Sequence, residues 1–158
     1  MARRTVLCTV ALVALLALAS CTQGPPQSGG EARVGEGMLA TGAWSAWAYG
    51  SVGSGVCLQI RIEGEAPNTL CGLESDGMGL WTSDAPGTTF VSGTSNDGRA
   101  TTARVTLADR SELRAALVPA PEVTDLRFFV VPVVAGARPT IVELLDAGGT
   151  VIDSVQLE

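Results

Sequence analysis

Cysteine is the residue of this chain best suited to covalent chemistry, and its four positions divide by neighbourhood. Cys8 lies in an apolar run, Thr5 to Ala19, that follows the basic opening Met1-Ala2-Arg3-Arg4. That order is the n-region and h-region of an export signal, with which Cys8 would be removed. The run ends in Leu18-Ala19-Ser20-Cys21, a match to the lipobox of bacterial lipoprotein signals. Small side chains at Ala19 and Ser20 let an extended backbone enter a peptidase site, and Cys21 supplies the thiol that accepts diacylglycerol. Cleavage is expected between Ser20 and Cys21. The two acyl chains of such a group hold a protein stably on a membrane, whereas one gives only marginal binding. Two alternatives stand beside this expectation: an ordinary cleaved signal with an incidental Cys21, and an uncleaved apolar anchor. The run is shorter than the roughly 20 residues of a spanning helix. Arg3-Arg4 admits the twin-arginine route, although the strongly apolar h-region favours the general secretory one.

Cys57 and Cys71 remain, and an even remainder in an exported chain is expected to form a disulfide. Closing a loop of that length stabilises by about 3 kcal/mol in the chain-entropy picture. The spacing is not Cys-x-x-Cys, which argues against a reactive pair. The chain has no His, so a zinc set cannot be completed and Ser-His-Asp and Cys-His hydrolases are excluded. It has no Lys either, which removes Ser-Lys dyads and Schiff-base chemistry. Carboxylates, one Tyr and water are left for acid–base work, so no catalytic residue, metal or cofactor is assigned.

Three clusters could still bind something. On a strand Trp47 and Tyr49 share a face, with Trp44 on the other. Two exposed aromatics on one face form a platform for a sugar ring or a partner's side chain; the competing role is core packing, because aromatics bury large areas. Glu63 and Glu65 would point to one side, as glycosidase or calcium carboxylates do, yet they flank Gly64 in what reads as a solvated hairpin end. Asp76-Gly77 and Asn96-Asp97-Gly98 resemble fragments of calcium loops. Neither completes the alternating Asp/Asn ladder with a terminal Glu, so turn chemistry is expected there.

The elements that must position these residues are strands. Residues 22–42 are rich in Gly, Pro, Ser and Gln and lack apolar periodicity, the composition of a flexible tether spanning on the order of 25 Å. From Ala43 onward short apolar runs alternate. Leu58, Ile60 and Ile62 face one way, and Gln59, Arg61 and Glu63 the other. Ala103, Val105 and Leu107 repeat the pattern. Arg127–Val134 is apolar on both faces and belongs deep in the fold, with Pro132 marking an edge or bulge. Asp146-Ala147-Gly148-Gly149 joins Ile141–Leu145 to Val151–Leu157 as a hairpin. Ser111–Leu117 fits either a helix behind a Ser N-cap or a strand, and the all-β context favours the strand. The expectation is an all-β fold: an antiparallel β-sandwich of about nine or ten short strands over 43–158, preceded by a signal peptide (1–20) and a lipidated Cys with its flexible linker (21–42).

The order Trp44…Cys57-Leu58…Cys71-Gly72, then Ala103–Leu107, Arg127-Phe128-Phe129 and Leu145–Val151, resembles a group of small secreted actinobacterial β-sandwich proteins. The similarity covers nearly all of residues 43–158, and its motifs are structural: a paired Cys loop, core aromatics and a terminal hairpin. It implies an immunoglobulin-like sandwich and supplies no catalytic residues. The Cys57–Cys71 loop is far too short for the inter-sheet bridge of a true immunoglobulin domain, so only the architecture is comparable.

Charge narrows the partners. Without Arg3 and Arg4 the chain keeps eight Arg against sixteen carboxylates, a net charge of about −8. Nucleic acid and anionic lipid both call for a positive patch and are disfavoured. The expectation is a non-enzymatic interaction module on the outer face of the cell membrane, meeting an envelope protein or glycan. A carbohydrate- or small-ligand-binding domain using Trp47 and Tyr49 is the alternative, with a carboxylate-based hydrolase behind it.

Overall fold

A computed structural model describes residues 27–158 apart from 52–54 and 74–76. The signal segment with Ser20 and Cys21, the following residues 22–26, and Asp76 lie outside the described residues.

Among the described residues the chain is all-β. Four strands, β1 (Gln27–Leu39), β2 (Gly42–Ser51), β3 (Gly55–Ile62) and β4 (Glu65–Cys71), form one antiparallel meander. Two hairpins follow, β5 (Met78–Ala85) with β6 (Thr88–Ser95), and β7 (Thr102–Leu107) with β8 (Glu112–Ala116). The chain then adds β9 (Val118–Pro119), β10 (Arg127–Val134), β11 (Pro139–Leu145) and β12 (Val151–Gln156). The second sheet has the order β5-β6-β10-β9 and the third β12-β11-β7-β8, with every pairing antiparallel.

The expected sandwich has a third layer. Along β10, Phe128 and Val130 pack with Val34, Trp44, Leu58 and Ile60 of the first sheet, while Phe129, Val131 and Val133 pack with Val105, Val142 and Leu144 of the third. On β6, Phe90 and Val91 divide in the same way. Successive side chains on a strand point to opposite faces, so the second sheet lies between the other two and serves two separate cores. This is why Arg127–Val134 reads as apolar throughout. Trp44 ties the first layer to the middle one, meeting Phe90 edge-on with ring centroids 5.4 Å apart.

The boundary of the folded domain differs from expectation. Residues 27–39, placed in the flexible linker, form the longest strand and pair with β2. Ala32, Val34 and Leu39 turn to the core, but Gly35 and Gly37 interrupt the apolar alternation. Those glycines make room for an indole: an added Cβ at Gly35 would lie 3.3 Å from the Trp44 ring, and one at Gly37 only 2.7 Å from its Nε1. With β1 and the two-residue β9 included, the strands number twelve among the described residues, against the about nine or ten expected from turn spacing.

Other expectations match. Glu112–Ala116 is a strand, with Leu113 and Ala115 against the second core and Glu112 and Arg114 exposed. Asp146 closes the β11–β12 turn, its Oδ1 accepting the amides of Gly148 and Thr150. Pro132 lies beyond the reach of β9, which pairs only with Arg127 and Phe128, so its missing donor falls on an unpaired strand edge. Cys57 and Cys71 are directly opposed on β3 and β4 and form a disulfide, with Cα atoms 4.0 Å apart.

The strands run between two ends of unlike character. At one end lie the start of β1, the turn at Asp97–Ala100, the 120–126 segment and the Asp146–Thr150 turn. At the other lie the β1–β2, β3–β4 and β5–β6 hairpin turns and the β10–β11 loop, whose Ala135 amide donates to the Gly87 carbonyl.

Candidate functional site

Two places bring together residues singled out by their chemistry: the outer face of the first sheet, and a cleft among the hairpin turns.

On the outer face, β2 presents Ser45, Trp47 and Tyr49, because Trp44, Ala46 and Ala48 take the core side. The expected shared face of Trp47 and Tyr49 is therefore correct. An exposed pair does not result. Tyr49 is 4% exposed, in register with the buried Cys57 of the disulfide. Trp47 is half-buried, and two guanidiniums lie over its ring: Arg33 of β1 with Cζ 5.7 Å from the centroid, and Arg61 of β3 at 5.0 Å. Its Nε1 donates to Ser45 Oγ at 3.0 Å.

These arginines belong to a network across the sheet. Arg61 donates through Nη2 to Glu31 Oε1 at 2.5 Å and through Nε to Gln59 Oε1 at 2.7 Å; Gln59 in turn donates to Thr69 Oγ1 at 3.3 Å. Arg33 pairs with Glu36 at 2.7 Å. Each cation–π contact at such a site contributes about 0.5–1 kcal/mol. A sugar ring stacking on Trp47 would have to displace one of these arginines from its carboxylate. Part of the Trp47 ring is thus taken up by the protein's own side chains.

The cleft has a volume of about 520 Å³ and is lined by Thr41, Ile62, Glu63, Glu65, Ala66 and Pro86. The size falls within the roughly 300–1,000 Å³ of small-ligand sites. Its walls come from three hairpins in two layers: Thr41 from the β1–β2 turn, Ile62 to Ala66 from β3, β4 and their turn, and Pro86 from the β5–β6 turn. Glu63 and Gly64 form the two-residue connection expected there, both with positive φ, 51° and 88°. Those angles suit the type I′ hairpin turn, which normally takes Asn or Gly first. The Glu63 amide donates to the Ala43 carbonyl at 2.8 Å, which ties this turn to β2. Among the described residues neither the Glu63 nor the Glu65 carboxylate has an ion-pair partner. Sequence reasoning placed both residues at a hairpin end but had no means of finding Thr41 and Pro86 opposite them.

The carboxylates whose acidity is shifted lie elsewhere, in turns. Asp97 is lowered to about 2, first by the hydrogen bond from the Arg99 guanidinium and then by the Arg99 amide. Asp109 is lowered by the Ser111 hydroxyl and amide, and Asp146 chiefly by the Thr150 amide. Each shift has a complete account in local turn geometry, as expected for Asn96-Asp97-Gly98. On the outer face of the third sheet Arg104 pairs with Glu143 at 2.8 Å, a cross-strand contact between partly buried neighbours.

Compared with known proteins, the chain matches no family model, and no curated protein and no solved structure matches it significantly.

Proposed function

We propose that this chain is a lipid-anchored, extracytoplasmic interaction module, held to the outer face of the cell membrane by diacylglycerol on Cys21 and without catalytic activity of its own. One observation carries the reading: Leu18-Ala19-Ser20-Cys21 stands directly behind a basic opening and a charge-free apolar run. Support comes from the Cys57–Cys71 disulfide, a bond that persists in oxidising compartments outside the cytoplasm. The catalytic inventory points the same way. The chain has no His or Lys, and Asp97, Asp109 and Asp146, whose acidity is raised, are engaged in turns. Partners of this reading are an envelope protein or glycan.

The test is Cys21→Ala in the native host with lipid labelling and fractionation. Loss of label and release of the chain into the soluble fraction are expected. Unlabelled protein retained in the membrane would instead identify an uncleaved apolar anchor.

A further inference from the structure

The start of β1 leaves only five residues of sequence between Cys21 and the fold. Only Thr22 to Pro26 separate Cys21 from Gln27, the first residue of β1. Six consecutive Cα steps reach at most about 20 Å. By contrast, the 13 residues of β1 extend about 40 Å along the domain. The attachment point is at one extreme of that length, since Gln27 pairs with Ser51 while Leu39 pairs with Gly42 beside the β1–β2 turn. A tether of that length holds the end where β1 begins near the bilayer, while the far end of β1 is farther from the attachment point than the tether can reach.

We infer that the anchored domain stands on the membrane on the end where β1 begins and presents the hairpin-turn end outward. This rests on the lipid-anchor reading and adds to it which surface a partner meets. The outward end holds the cleft with Glu63 and Glu65. It also holds Met38 and Val134, 78% and 75% exposed, two of the three exposed large apolar side chains among the described residues. The end facing the bilayer carries the Asp97 and Asp146 turns.

The experiment uses the full-length lipidated protein in vesicles containing phosphatidylglycerol and a headgroup-labelled energy acceptor. A fluorescent amino acid replaces Ala135, in the outward loop, or Ala147, in the Asp146–Thr150 turn; both positions are exposed. Transfer several-fold stronger from position 147 than from 135 is expected. A long Gly/Ser insertion after Gln23 should collapse that difference; its persistence would show that the short tether does not set the orientation. Flotation with equal or reversed transfer overturns the orientation alone. Failure to float with vesicles overturns the anchor and the orientation together.

Discussion

The indole of Trp44 lies across β1 so closely that a methyl group on Gly37 would sit 2.7 Å from its Nε1. The contact explains why a strand of the fold carries glycine where an apolar side chain is usual. Overpacking a filled site costs about 1–3 kcal/mol. Gly37→Ala should lower stability by that amount in urea unfolding followed by tryptophan fluorescence. Gly98→Ala is the control, because nothing lies within 4 Å of its added Cβ; a change within about 0.5 kcal/mol is expected there. Equal behaviour of the two variants would sink the account of β1.

The disulfide is expected to matter for the first sheet in particular, since β4 is its edge strand. The bond closes a sequence separation of 14. Replacing both cysteines, Cys57→Ala with Cys71→Ala, should therefore cost about 3 kcal/mol. Reductant should lower the melting temperature of the wild-type domain and leave that of the double variant unchanged. A free-thiol titration of the unreduced protein that detects this pair would contradict the bond.

What the sequence made legible is what depends on neighbours along the chain. The alternation in Leu58-Gln59-Ile60-Arg61-Ile62, the turn at Asp146 and the pairing of Cys57 with Cys71 are local in that sense. What it hid depends on partners distant in sequence. Gly35 and Gly37 carry the signature of a linker until Trp44 is seen lying on them. Trp47 looks free as a platform while β1, and hence Arg33, is taken for a tether and the approach of Arg61 from β3 is not yet seen. Likewise Arg127–Val134 announces a buried strand, but periodicity does not say that its two faces meet two different sheets. The cleft is the extreme case, because its walls belong to three turns that approach only when the layers stack.

Thr94 offers a test of the middle layer. Its side chain is fully buried, and its Oγ1 has no hydrogen-bond partner. A buried hydroxyl left without a partner costs about 1–3 kcal/mol in lost solvation. Thr94→Val keeps the shape and removes the polar atom, so a gain of about 1 kcal/mol is expected in chemical denaturation. A loss of similar size would mean that the hydroxyl is satisfied by a buried water.

Asp97 sets the direction of an acid-dependent contribution. The Arg99 guanidinium and amide hold its carboxyl at about 2, below the ordinary 3.8 of an aspartate. Since the folded value is depressed, the ionised form is favoured by folding. Its contribution is fully present above the unfolded value and is lost as pH falls through about 2. The group is solvent-facing, so added salt should weaken the effect. A carboxyl-carbon NMR titration should place the Asp97 midpoint near 2 in the wild type and move it towards 3.8 in Arg99→Ala. Asp97→Asn should flatten the fall of stability over that acid window, because it removes at neutral pH the contribution that the wild type loses only in acid, and should leave stability at the acid end nearly unchanged. An ordinary midpoint in the wild type would show that Arg99 does not hold the carboxylate in solution.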